Sequence, residues 1–235
     1  MSGLPQGSSP HLGILAGLQS EARCLSAASA DGIPRTVLLS GARLEGARRA
    51  AGRLVESGAT HLLSFGLAGG LDPALAPGTL LLPEQLICPD GAARTIDPDW
   101  HAAARACLAA ERPITAATVG ADEAVATAGA KAALFGRTRA VAIDMESHVL
   151  AVTAPDLPLL VVRVVADTAH DALPPAAIVA VKPDGSTDLP AVLGSVLRHP
   201  GQIPALIRLG QAAKMADATL RRAARLGLAS GFGLA

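Results

Sequence analysis

Three short segments each place a carboxylate at or just past the end of an apolar run: GILAGLQSE (13–21), IDMES (143–147) and VRVVAD (162–167). Carboxylates give and take protons near neutral pH once burial has moved them from their ordinary range. Ligands of open α/β sheets bind beyond the carboxyl ends of the strands. Glu21, Glu146 and Asp167 are therefore expected around one pocket. The run Leu62–Leu67 leads straight into Ala68, Gly69 and Gly70. Adjacent glycines there let backbone approach a ligand closely, although a plain tight turn is the simpler reading. Such a set supports acid–base chemistry without a resident metal or cofactor. His148, His170 and Asp171 lack the HxxxH or HExxH spacing of a zinc site, so no metal is expected.

These residues need elements to hold them. Leu12–Leu18, Thr36–Leu39, Leu62–Leu67, Thr79–Leu82, Ile114–Val119, Ala140–Ile143 and Leu159–Val165 read as strands. The last is a continuous β-branched run, as in a strand buried on both faces. Residues 44–57 carry Leu44, Ala47, Ala51 and Leu54 at helical spacing, with Gly58 as a stop. Residues 99–111, 145–153 and 203–226 read as further helices, and Asp122 as the cap of another. Residues 88–98 read as a polar loop. Strands alternating with helices specify an α/β fold: a central mixed, twisted sheet flanked by helices in a three-layer sandwich. Residues 1–11 are expected as a flexible leader and 12–235 as a single domain.

In these motifs the chain resembles the nucleoside phosphorylase superfamily, which includes purine nucleoside phosphorylases and methylthioadenosine/S-adenosylhomocysteine nucleosidases. The resemblance rests on GILAGLQSEA (13–22), SFGLAGGLDPALAPGTLLLPE (64–84), VGADEAV (119–125), AIDMES (142–147) and VVRVVADTA (161–169), in the family's order. A narrower likeness, carried by VGADEAVAT (119–127), ADTAHDALPPAA (166–177) and HPGQIPALIRL (199–209), is to the hopanoid-associated phosphorylases. The resemblance implies cleavage of an N-ribosidic bond in an adenine nucleoside. In the narrow family this removes adenine from adenosylhopane to give ribosylhopane.

By the same resemblance Asp167 is the acid that protonates the leaving purine; the plainer reading is a helix N-cap. Glu146 grips the ribose hydroxyls and Met145 packs on the sugar. Their bland readings are a solvated first-turn acid and a core residue. Ala68, Gly69 and Gly70 line base and sugar, and backbone at Val125 reads adenine. Glu21 stands where nucleosidases activate water and phosphorylases hold phosphate with an arginine. A carboxylate repels phosphate, so Glu21 points to water. Arg23 and Arg43 nevertheless lie near the matching loops as candidate phosphate ligands, so phosphate stays open as a co-substrate. Two positions depart from the family pattern. Leu67 replaces a small hydroxyl residue, and Ala124 replaces the aromatic that stacks on the base. A missing ring forfeits about 1–3 kcal/mol of stacking, which a large apolar 5′ substituent would supply.

Composition narrows the field further. Of 235 residues, 50% are hydrophobic, which is enough apolar surface to rule out wholesale disorder. Lys+Arg and Asp+Glu are both 20, and aromatics only 2%, which disfavours nucleic-acid partners. Cys24, Cys88 and Cys107 form no CxxC pair, and no signal or transmembrane segment is apparent. A cytoplasmic enzyme is expected, peripheral to the inner membrane at most, and homo-oligomeric by family resemblance. Between 198 and 226 six Lys and Arg residues face Asp217 alone. Such a basic amphipathic helix suits an anionic membrane surface, whereas an ordinary packed terminal helix is the plainer reading. The rival readings are a methylthioadenosine/S-adenosylhomocysteine nucleosidase or phosphorylase acting on soluble nucleosides, and a non-catalytic nucleoside-binding domain.

Overall fold

A computed structural model describes residues 9–26 and 32–234. Most of the expected leader lies outside the described residues. The first apolar run forms β1 (Leu12–Ala16), every residue of it buried. It lies between β2 (Arg35–Leu39) and β3 (His61–Gly70), parallel to both, with Leu12 opposite Arg35 and His61. On its other side β3 runs parallel to β9 (Leu159–Asp167), from Leu62 opposite Leu159 to Ala68 opposite Val165. Both strands are buried nearly throughout, as the largely apolar sequence of β9, broken by Arg163 alone before Asp167, requires.

The sheet continues past the end of β3. Gly69 and Gly70 pair antiparallel with β8 (Ala142–Asp144), which is parallel to β7 (Thr118–Gly120). β5 (Gln85–Ile87) follows β7 and carries the hairpin strand β6 (Ala93–Thr95), while β4 (Leu80–Leu81) pairs antiparallel with β9. The result is a mixed nine-stranded sheet.

Helices flank it. α1 (Gln19–Ser26) packs on α8 (Ile203–Gly227), which also covers β9 and α3 (Pro98–Cys107). α2 (Leu44–Glu56) buries Ala47, Ala50, Ala51 and Leu54 against β1 and β2 and meets α5 (Ser147–Thr153). At the start of α2, a Cβ on Gly46 would lie 1.8 Å from Ser40 O, so this close approach requires glycine. The core joins Leu15, Leu63, Phe65, Val162, Leu220 and Phe232. Burying each such side chain contributes about 1.5–3 kcal/mol. Among the described residues no helix is long and apolar enough to cross a membrane.

Several expectations need correction. Gly69-Gly70 is not a turn: β3 runs through both, with the register against β9 slipping between Ala68 and Gly69. The polar loop at 88–98 contains β6, because Asp90-Gly91 closes a hairpin there. Asp122 caps no helix. Thr127 caps α4 (Ala128–Thr138) by accepting the Ala130 N–H, while Asp122 meets His148 Nε2 at 3.0 Å. Residues 172–190 are also structured. They form α6 (Pro175–Ile178) and a Val181–Thr187 bridge, and lead into α7 (Leu189–Arg198).

Candidate active site

The ends of β1, β3, β8 and β9 open on one cleft of about 190 Å³. Its walls include Gly17, Glu21, Ala68, Gly69, Val125, Met145, Glu146 and Asp167. The three carboxylates expected from sequence are thus brought together. Gly70 lies just behind the wall, where a Cβ would come 2.8 Å from Asp167 O. Arg23 and Arg43 are exposed and outside the lining. Arg23 belongs to a separate surface groove between α1 and β2, and Arg43 precedes α2.

Glu21 is not a surface helix residue. It is 3% exposed. Its Oε2 accepts the N–H groups of Gly17 (2.6 Å) and Leu18 (2.9 Å), and its Oε1 accepts that of Leu67 (2.8 Å). A Cβ on Gly66 would lie 2.7 Å from this carboxylate, so the carboxylate fits only because position 66 carries no side chain. Burial, opposed by the Arg163 charge and reinforced by Glu146, pushes Glu21 up to about 7. Gly17 separates the Glu21 and Glu146 carboxylates: its Cβ position is 3.0 Å from Glu146 Oε1 and 3.3 Å from Glu21 Oε2.

Glu146 is also buried. Ser40 Oγ donates to its Oε1 at 2.8 Å, and Arg163 Nη2 lies 3.2 Å from its Oε2. Arg163, 1% exposed, is the cation that makes this cluster tenable. It also meets Asp144 Oδ1 (3.2 Å) and donates to Ser64 Oγ (2.5 Å) and Leu67 O (3.1 Å). Burial works against its charge, but Asp144, Glu146 and Glu21 together hold its pKa above the ordinary value. Asp144 does double duty, accepting the N–H groups of Glu146 (2.9 Å) and Ser147 (2.7 Å) where β8 passes into α5. Ser64 is absorbed by this network and sits 2.9 Å from Ser147 Oγ. Sequence reasoning assigned no role to Arg163. Its signal was a lone cation inside LLVVRVVAD, since a charge within a buried strand must be paired.

Asp167 ends β9 and caps no helix. Its Oδ2 accepts from Lys131 Nζ, which also donates to Thr168 O at 2.8 Å. Burial raises the Asp167 pKa, and Lys131 pulls it back down in part. Lys131, 1% exposed and part of the cleft wall, was also missed. It sits in an Ala-rich helix with nothing to distinguish it from a solvated lysine. The rest of the lining is largely apolar: Leu18, Leu67, Ala124, Ile143, Ala166 and Leu173. Ala124 does line the cleft, and none of its lining residues is aromatic.

Comparison with known proteins places this geometry. The model of the phosphorylase superfamily matches residues 21–198. No curated protein matches the sequence. Among solved structures, the chain is similar to an S-adenosylhomocysteine nucleosidase from Streptococcus pyogenes in complex with 5-methylthiotubericidin. That match has 18% identity over 94% of this chain and 98% of the other, with a TM-score of 0.66. It is likewise similar to the 5′-methylthioadenosine/S-adenosyl homocysteine nucleosidase of Helicobacter pylori (17% identity, 96% and 97% covered, TM-score 0.64). A futalosine hydrolase of the same organism matches at 17% identity over 95% of each chain, with a TM-score of 0.63. At these identities the structures speak to the fold, and the family match covers well over half of the sequence. This chain belongs to the phosphorylase superfamily.

Proposed function

We propose that the protein cleaves the N-ribosidic bond of an adenine nucleoside, with water as the nucleophile. The observation that carries this is the set of three buried carboxylates around one mostly apolar cleft: Glu21 and Glu146 either side of Gly17, and Asp167 across from them at Gly69. Purine faces suit the apolar wall. Breaking the bond leaves an electron-rich base and a sugar cation. Asp167, raised by burial, donates its proton to the base. Glu146, held by Ser40 and Arg163, takes the ribose hydroxyls, with Met145 against the sugar. Its negative charge favours the developing cation. Glu21, poised near 7, accepts the proton of the attacking water. Water is favoured over phosphate because Arg23 and Arg43 stay outside the cleft. The cations in its wall and behind it, Lys131 and Arg163, are already paired with carboxylates.

We further propose adenosylhopane as the substrate. The cleft is smaller than the roughly 300–1,000 Å³ of sites that enclose drug-sized ligands, so a bulky 5′ group must project out of it. Its lining includes Leu18 and Leu173, and the neighbouring Gln19 N–H bonds Gly185 O of the segment that leads into α7. α7 exposes Leu189 (70%), Leu193 (60%) and Leu197 (75%) one turn apart, and α8 opens with exposed Ile203 and Ile207. Residues 189–216 carry Arg198, Arg208 and Lys214 and no Asp or Glu. An apolar face flanked mostly by cations, with Asp188 taken up as the cap of α7, suits an anionic lipid surface. The membrane-facing element is therefore α7 with the first turns of α8. The later part of α8 packs into the core through Ala216, Leu220 and Ala223. Adenine release from adenosylhopane in detergent, beside methylthioadenosine and with or without phosphate, tests the reading. Faster release from the hopanoid in phosphate-free buffer is expected. Preference for methylthioadenosine would make this a general nucleosidase, and strict phosphate dependence would replace water as the nucleophile.

A further inference from the structure

Among the described residues Lys131 is the one cation in the cleft wall, and the chemistry above leaves it without a task. Its ammonium is fixed by two acceptors of different kinds, Asp167 Oδ2 and the carbonyl of Thr168. The second acceptor belongs to the chain just beyond β9, so the lysine is tied to backbone as well as to the acid. Asp167 Oδ1 is left over. It makes no hydrogen bond among the described residues, and it lies on the Gly69 side, 3.4 Å from where a Cβ would stand. The absence of a side chain at Gly69 keeps that oxygen accessible from the cleft.

Resting on the functional reading above, we propose that Lys131 is a positioning residue for the acid: it pins one oxygen of Asp167 so that the other faces the base, and stabilises the carboxylate formed on proton transfer. The step is balanced without a proton leaving the lysine. The Oδ1–H bond of Asp167 breaks as the N–H bond on the purine forms. The electron pair of the ribosidic bond goes to the base, which departs neutral, and the acid becomes an anion beside the ammonium. Water then adds to the sugar cation and gives its proton to Glu21. A cation at this spot acts where negative charge develops in the transition state, which is where a fixed charge assists most. The other titratable and charged groups around the pair are Asp171 and His170 in the loop after β9, Arg208 of α8, which acts on Asp171, and Glu21, Glu123, Asp144 and Glu146 in the cleft wall.

The test separates positioning from mere packing by leaving group and by pH. Lys131→Met keeps the bulk of the side chain without the charge, and Lys131→Arg keeps the charge. With adenosylhopane in detergent, Lys131→Met is expected to lose about 10²-fold or more in adenine release, with its alkaline limb moved to higher pH because Asp167 then holds its proton longer. With p-nitrophenyl β-ribofuranoside, whose leaving group needs no proton, the same variant should stay within a few fold of the unaltered enzyme. Lys131→Arg should recover most of the adenine-releasing activity. Equal losses on both substrates with an unmoved pH profile would overturn the proposal, as would failure of arginine to recover more than methionine does. Carbon-13 NMR titration of the aspartate carboxyls, with Asp167→Asn to identify the signal, reads the pair without turnover. Asp167 should titrate at higher pH in Lys131→Met, and an unchanged titration refutes the pairing. An enzyme that cleaves neither riboside, yet shows the shifted titration, would sink the functional reading and leave the pairing standing.

Discussion

Replacing Glu21 by Gln separates what this carboxylate costs the fold from what it contributes to the reaction. In the folded protein it titrates near 7, against 4.5 for an ordinary glutamate. That gap corresponds to about 3 kcal/mol at 1.36 kcal/mol per pH unit. Because the folded-state value is raised, the contribution is fully present below about pH 4.5 and is lost as pH rises through 7. The unaltered protein should therefore lose about 3 kcal/mol relative to Glu21→Gln across that window. For a chain of this size that is roughly 6–12 °C in Tm. The variant has its own defect. A glutamine presents one acceptor oxygen, so if it satisfies Gly17 and Leu18 its amide group faces the Leu67 N–H. One unsatisfied buried donor costs about 1–3 kcal/mol at every pH. Glu21→Gln should accordingly be the less stable protein at pH 5 and should draw level or overtake at pH 8. Adenine release should fall by about 10²–10⁴-fold, as for loss of a general base. Thermal denaturation of both proteins at pH 5, 6, 7 and 8 reads the first effect. A Tm difference that stays constant across the series would refute the argument that Glu21 titrates in this range.

Other perturbations follow from the same contacts. Gly66→Ala drives a methyl into the Glu21 carboxylate, so it should lower kcat about as far as Glu21→Gln while leaving the protein folded by circular dichroism. Arg163→Met strands Asp144 and Glu146 as buried unpaired charges. It should cost about 3–5 kcal/mol in urea denaturation at pH 8, and a loss under about 1 kcal/mol would mean the network is not buried as described. Leu193→Glu with Leu197→Glu places charge on the exposed face of α7. Flotation with phosphatidylglycerol vesicles should drop several-fold while turnover in detergent is unchanged. Equal flotation would remove the membrane role of this face, and a shift from dimer to monomer on light scattering would assign it to a second copy of the chain.

Much of the frame was legible because burial writes itself into residue type. The predominantly apolar runs of β1, β3 and β9 admit little but interior strands, and the three- and four-residue spacing of Ala47, Ala51 and Leu54 fixes the buried face of α2. The carboxylates were legible because each follows such a run. What escaped depends on partners distant in sequence. Gly69 and Gly70 read as a turn because their strand partners in β8 and β9 lie more than 70 residues away. Lys131 looks like any helix-surface lysine until Asp167 is placed beside it. Asp122 has the look of a cap, but the helix starts later, at Thr127, and His148 takes its side chain instead. α7 carried a usable signal that was overlooked, an Asp188 cap followed by Pro190 in the first turn.

The most direct measurement is adenine release from adenosylhopane in phosphate-free detergent buffer by the unaltered enzyme and by Asp167→Asn, with binding of the nucleoside to each measured in parallel. Stoichiometric adenine from the unaltered enzyme is expected, with release at least about 10²-fold slower from Asp167→Asn and binding within a few fold. Undiminished release by Asp167→Asn, or tight binding by both proteins with no adenine from either, would contradict acid-catalysed cleavage at this cleft.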